Sequence, residues 1–202
     1  MTLSEFLKTH KANDNYKLGI QFGEYLHNYH NKQVCSNADW YEMFNTKANY
    51  LFYIHGVSEF IGDDDYILID YINDNKHLTK NLKACSILGK INFENIKIGD
   101  EIEFNINSEE RGDKTFDFVN INQAALISKD FANGVFEEYF KNEKVPVKFF
   151  RLLSLYQAYI ILTNIVDNRN NKKTDLNDED IKGLLNMYDN FNQFIPTWIE
   201  ED

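Results

Sequence analysis

At 202 residues, with 43% apolar and 15% aromatic content, the chain can bury a core of its own and carries too much Phe and Tyr for intrinsic disorder. The length predicts one domain spanning residues 1–202, and the scarcity of breakers, two Pro and nine Gly, predicts a mainly α fold. A net charge of −11 disfavours direct nucleic-acid binding and points to a cationic partner, either a basic protein or a polyamine-like small molecule, unless the charge serves only solubility.

Residues 14–31 set Leu18, Phe22, Tyr25, Leu26 and Tyr29 at helical spacing, which predicts an amphipathic helix. A second helix is predicted from Asn37, as cap, to Gly56, as terminator, with Trp40, Phe44, Ala48, Leu51 and Phe52 inward. Asp63, Asp64 and Asp65 stand where a third helix begins, with Leu68, Tyr71 and Ile72 as its buried face. Those acids read as a helix start or as contacts for a cationic ligand. The pattern then changes to a period of two, Ile96 and Ile98 before Gly99-Asp100 and Ile102, Phe104 and Ile106 after it, which predicts a small β-hairpin around residues 95–107. Three more helices are predicted: around residues 128–141, a buried one at 146–166, and a last one at 177–194, with residues 167–173 as an exposed loop before it.

Residues 149–166 are interrupted by Arg151, Ser154, Gln157, Thr163 and Asn164, so they read as a core helix and no membrane span is expected. Cys35 and Cys85 lie far apart, in no metal-ligand spacing, and no charged-then-apolar signal opens the chain at Met1-Thr2-Leu3-Ser4. A reducing cytoplasm is therefore expected. His27 and His30 have a chelating spacing without further ligands, and His55 and His77 are isolated, so no metal site is expected. No phosphate-binding Gly loop or nucleophile elbow occurs.

Several segments together resemble the helical C-terminal lobe of the bacterial aminoglycoside phosphotransferases, a kinase-like family. They are Tyr16-Lys17-Leu18-Gly19-Ile20-Gln21-Phe22-Gly23-Glu24 with His30, the Ile-Asp-Tyr-Ile-Asn-Asp-Asn core of residues 66–78, Val145-Pro146-Val147-Lys148-Phe149-Phe150-Arg151-Leu152-Leu153, and Phe194-Ile195-Pro196-Thr197-Trp198. Leu3-Ser4-Glu5-Phe6-Leu7 resembles the stretch after the family's interlobe hinge, which implies that the β-rich nucleotide lobe is absent. The family's catalytic loop, His-Gly-Asp and later Asn, is similar to Leu88-Gly89-Lys90-Ile91-Asn92-Phe93-Glu94-Asn95. Gly89 and Asn95 fit, but Leu88 replaces the histidine and Lys90 the aspartate that would accept the hydroxyl proton. The magnesium-binding acid is likewise missing from Phe104-Asn105-Ile106-Asn107.

The resemblance therefore implies a pseudokinase-like chain with no catalytic residues and no cofactor. The expected function is binding: an acidic surface that engages and modulates a basic protein, as a phage or mobile-element inhibitor of a nucleic-acid-binding host effector would. The alternative is a domain that sequesters a cationic, aminoglycoside-like small molecule. Glu137, Glu138, Asp175, Asp178, Glu179 and Asp180 are the binding candidates, weighed against a solvated face and a capped helix start. Apolar surface left by the missing lobe would favour homo-oligomers or a protein interface.

Overall fold

The computed structural model describes residues 1–58, 62, 65–99, 104, 106, 110–141 and 143–199. Among these the fold is mainly helical with one small antiparallel sheet, as expected. In chain order it runs α1 (Leu3–Thr9), α2 (Ala12–Lys32), α3 (Trp40–Gly56), α4 (Asp65–Asn75), β1 (Cys85–Ser86), β2 (Arg111–Gly112), α5 (Phe118–Ala125), α6 (Lys129–Phe140), α7 (Val147–Arg169) and α8 (Asp178–Met187). Short 3₁₀ turns occupy Lys76–Thr79, Lys114–Asp117 and Asp189–Phe191. The chain separates into two compact units. Unit 1 comprises Met1–Cys35, Cys85–Pro146 and Trp198–Asp202; unit 2 comprises Ser36–Ala84 and Val147–Thr197.

Unit 1 is organised by α2 and α6. The apolar stripe of α2 buries Leu18, Phe22 and Leu26, and Phe22 packs against Phe131 of α6 and Phe104. Glycines let the two helix backbones meet. A Cβ on Gly19 would overlap the Phe131 carbonyl, one on Gly134 the Tyr16 carbonyl, and one on Gly23 would stand 2.6 Å from the Val135 oxygen. The start of the chain is tied in as well: Thr2 caps α1 with Glu5 as its reciprocal partner, and Leu3 N–H donates to the Ile96 carbonyl at 2.9 Å.

Unit 2 is built on α7, which buries Leu152, Leu153, Leu155, Tyr156, Ala158, Ile161, Leu162 and Val166. Trp40 Nε1 donates to the Tyr156 hydroxyl at 2.8 Å, and Tyr71 of α4 shares a 2.7 Å hydrogen bond with Ser154. By length and composition α7 could cross a membrane, with a mean hydropathy of 1.4 over its best window, but 61% of that window is buried inside the structure. Among the described residues no other helix reaches that measure.

Several expectations are corrected. Among the described residues the β pairing lies outside residues 95–107: Cys85 opposes Gly112 and Ser86 opposes Arg111, while Lys97 makes an isolated bridge to Thr2. A short strand ending at Gly112 is enough to pair because its partner is equally short. Residues 100–103, 105 and 107 of the predicted hairpin are outside the described residues. Asp39, not Asn37, caps α3 by accepting from Tyr41 N–H at 2.8 Å. Asp65 opens α4, whereas Asp63 and Asp64 lie outside the described residues. The helix predicted at 177–194 ends at Met187, because Asp189, Asn190 and Phe191 take positive φ angles that an α-helix cannot continue through. Helix α7 runs on to Arg169, into the segment read as loop.

The largest correction concerns the cysteines. Cys35 and Cys85, separated by 50 positions, form a disulfide at the two points where the chain leaves unit 1 and returns to it. Linear distance concealed the pairing. Persistent disulfides belong to oxidising surroundings, so the cysteines no longer argue for a reducing compartment.

The glycine contact gives the first prediction. Gly19→Val should destabilise the chain by about 3 kcal/mol or more, because backbone rather than a movable side chain receives the new methyls. Gly56→Ala, where an added Cβ meets nothing within 4 Å, should not destabilise it. Urea unfolding of the two variants measures the difference.

Candidate functional site

The loop at residues 88–91 is held from below by two side chains. Gly89 takes a φ of +66°, turning the backbone so that the N–H groups of Leu88 and Gly89 both point at the Asp117 carboxylate, at 2.7 and 2.8 Å. Asn120, one helical turn along, accepts from Ile91 N–H at 3.0 Å and donates to the Gly89 carbonyl at 2.7 Å. Asp113 makes this possible by capping the 3₁₀ turn Lys114–Asp117 through Thr115 N–H, which delivers Asp117 to the interior.

His30, near the end of α2, completes the clamp. Its Nε2 lies 2.9 Å from Asp117 Oδ2 and its Nδ1 lies 2.8 Å from the Tyr139 hydroxyl. Asp117 is 0% exposed and His30 1%. The geometry lets Nε2–H donate to Asp117 while the Tyr139 hydroxyl meets Nδ1. Burial pushes the Asp117 carboxyl up, against the pull of His30 and of the Leu88 and Gly89 amides. Burial, helped by the charges of Asp113 and Asp117, raises Tyr139 far above the ordinary phenol range, so Tyr139 stays a donor.

This arrangement fixes a loop without supplying an acid at its tip. Leu88 is 1% exposed and packs inward, while Lys90 is exposed and its N–H reaches Glu110 at 3.4 Å. Asn95 is exposed, with its N–H bonded to the Asn92 carbonyl. Asn105 and Asn107 are outside the described residues. The amides of Leu88, Gly89 and Ile91 are already spent on Asp117 and Asn120, so they form no cradle for a phosphate.

The acidic candidates fall in different units. In unit 1, Glu137 accepts from the Tyr16 hydroxyl at 2.5 Å, which raises the Tyr16 pKa, and Glu138 pairs with Lys141 at 3.4 Å. In unit 2, Asn177 caps α8 through Glu179 and Asp180 N–H, and Asp180 returns a bond to Asn177 N–H. Asp175, Asp178 and Glu179 are exposed around that capped start. His27 bonds the Tyr139 carbonyl and His77 the Asp74 carbonyl, and no cluster of three metal-ligating side chains occurs among the described residues.

Unit 2 holds a second buried carboxylate, Asp65, which the sequence offered as a helix start or a contact for a cationic ligand. It accepts from His55 Nε2 at 2.9 Å, from Gly62 N–H at 3.0 Å and from both terminal nitrogens of Arg169. Burial acts to raise its pKa, but Arg169, His55 and the Gly62 amide outweigh burial and hold it below the usual carboxylate value. Asp117 also went unread, although a carboxylate inside Phe116-Asp117-Phe118-Val119 is a legible signal, since an acid in an apolar run must find donors when it folds inward.

No family model, no curated protein and no solved structure matches this chain.

Two predictions follow from the carboxylates. Asp117→Asn keeps the shape but turns an NH₂ toward donors, and should cost about 3 kcal/mol in urea unfolding. Asp130→Asn, at an exposed position, should stay within about 0.5 kcal/mol. Because the folded pKa of Asp65 is depressed, its stabilisation is fully present above the unfolded value near pH 4 and is lost as pH falls through the lower folded value. The stability gap between the native chain and Asp65→Asn should therefore be constant from about pH 7 to 5 and narrow below about pH 4. Acid titration of both chains by circular dichroism reads it.

Proposed function

We propose that this chain is a non-catalytic, pseudokinase-like binding protein that engages a basic protein and modulates or blocks it. The loop at residues 88–95 carries the reading. It is immobilised as a reacting loop must be, through Asp117, Asn120 and His30, yet it presents Lys90 where phosphoryl transfer needs a proton-accepting carboxylate. An ammonium there repels magnesium and does not act as a base near neutral pH. The resemblance to the aminoglycoside phosphotransferase lobe supports the scaffold half of this reading; the net charge of −11 supports the partner half.

The charge is unevenly divided along the sequence. The segments of unit 1 contain 18 Asp and Glu against 11 Lys and Arg, a difference of −7, while those of unit 2 contain 14 against 10, a difference of −4. The extra negative charge of unit 1 lies in Glu200, Glu201 and Asp202, and without them the two units carry equal charge, so both offer acids to the basic partner. A phage or mobile-element inhibitor of a nucleic-acid-binding host effector, acting in the cytoplasm, is the setting that fits an acidic competitor for a nucleic-acid site. Sequestration of a cationic small molecule has less support, because Tyr16, Lys141 and the α8 cap already engage several of the candidate acids.

The test combines capture with a nucleotide titration. Affinity capture from host lysate at about 0.1 M salt should return a stoichiometric basic protein that is lost as salt rises toward 1 M, where screening shortens to about 3 Å. Thermal melting with magnesium and ATP should show no stabilisation. An eluate empty at both salts removes the partner, and nucleotide-dependent stabilisation or phosphate release removes the non-catalytic assignment.

A further inference from the structure

Sulfur chemistry is a reactive feature that neither the clamped loop nor the acids absorb. The two sulfurs of the disulfide differ in access. Cys35 is partly exposed, following the end of α2, whereas Cys85 is 6% exposed and paired in β1 against Gly112. An attacking thiolate must reach one sulfur of the pair, and burial obstructs that approach at Cys85.

We propose that Cys35–Cys85 is an exchangeable disulfide, and that Cys35 is the site at which a cellular thiol, either glutathione or the dithiol of an oxidoreductase, attacks it. The thiolate forms a sulfur–sulfur bond to Cys35 while the Cys35–Cys85 bond breaks, and the bonding pair leaves on Cys85, which takes a proton from water. A second thiol then displaces Cys35 from the mixed disulfide. Two electrons have passed from the reductant to the protein: the reductant becomes a disulfide, and both cysteines become thiols.

The consequence is local. Opening the bond releases a crosslink that closes a 50-position loop, and Cys85 lies two residues before Ile87, whose N–H donates to Glu110 and whose carbonyl accepts from Tyr29. The bonds from Asp117 and Asn120 to the loop contain no sulfur and stay made. Reduction therefore loosens the entry to residues 88–91 while the clamp persists. In a reducing cytoplasm, where disulfides are transient or redox-sensing, this makes the chain responsive to thiol status.

The experiment uses the full chain purified without reductant. It is treated with graded glutathione in one arm and dithiothreitol in the other, quenched with acid and mapped by peptide mass spectrometry. The untreated chain should show no free thiol, and the glutathione arm should place adduct on Cys35 in roughly tenfold excess over Cys85. The dithiothreitol arm should free both thiols and lower the melting temperature by about 10 °C. Iodoacetamide should then alkylate Cys35 roughly tenfold faster than Cys85 in the reduced chain. Free thiols in the air-oxidised chain, equal adducts, or equal alkylation rates would each overturn the proposal.

Discussion

A carboxylate sealed from water has to find its hydrogen-bond donors inside the protein, and Asp117 imposes that demand on everything around it. It is fully buried and takes two backbone amides and a histidine. An ionised group left unpaired in such a place would cost several kcal/mol, so the loop at residues 88–91 cannot drift away without exposing that cost. The Gly89 backbone, the Asn120 side chain and the ring orientation of His30 are all consequences. Removing any one donor strands the acceptor, which makes the cluster far more binding on geometry than its net worth in stability.

The same logic recurs in unit 2 with different parts. Asp65 also sits at the start of a helix, also takes a histidine from the end of another, and also accepts from a backbone amide, that of Gly62. One difference is Arg169, whose positive charge favours the ionised Asp65 carboxyl, whereas among the described residues Asp117 has no comparable fixed cation and is pushed the other way by burial. Two carboxylates thus differ in charge behaviour because Asp117 is the more deeply buried and Asp65 has Arg169 beside it.

Helix content and core stripes were legible in the sequence because each helix carries its own 3.6-residue pattern, as α2 does with Leu18, Phe22 and Leu26. The α6 start at Ser128 was legible for the same local reason, a side-chain oxygen placed to accept from Phe131 N–H. What escaped was non-local. The Cys35–Cys85 bond, the His30–Asp117 bond and the Cys85–Gly112 pairing join residues that share no local pattern. Alternation at Ile96 and Ile98 was read as a strand facing its sequence neighbour, most of which lies outside the described residues; Ile98 N–H donates to the Met1 carbonyl at the start of the chain. Within the candidate site, the identity of Leu88 and Lys90 was readable, and the clamp beneath them was not.

The alternation of the two units along the chain has a kinetic side. Unit 1 cannot close until Asp117 has been synthesised, 87 positions after His30, and until Trp198, whose indole donates to Asn122 at 2.9 Å, has followed 76 positions after that residue. Unit 2 waits in turn for α7, which begins at Val147. On a ribosome neither unit can finish as an early, self-contained product. Each keeps apolar surface open while the other's segments emerge, which lengthens the time over which the nascent chain can aggregate.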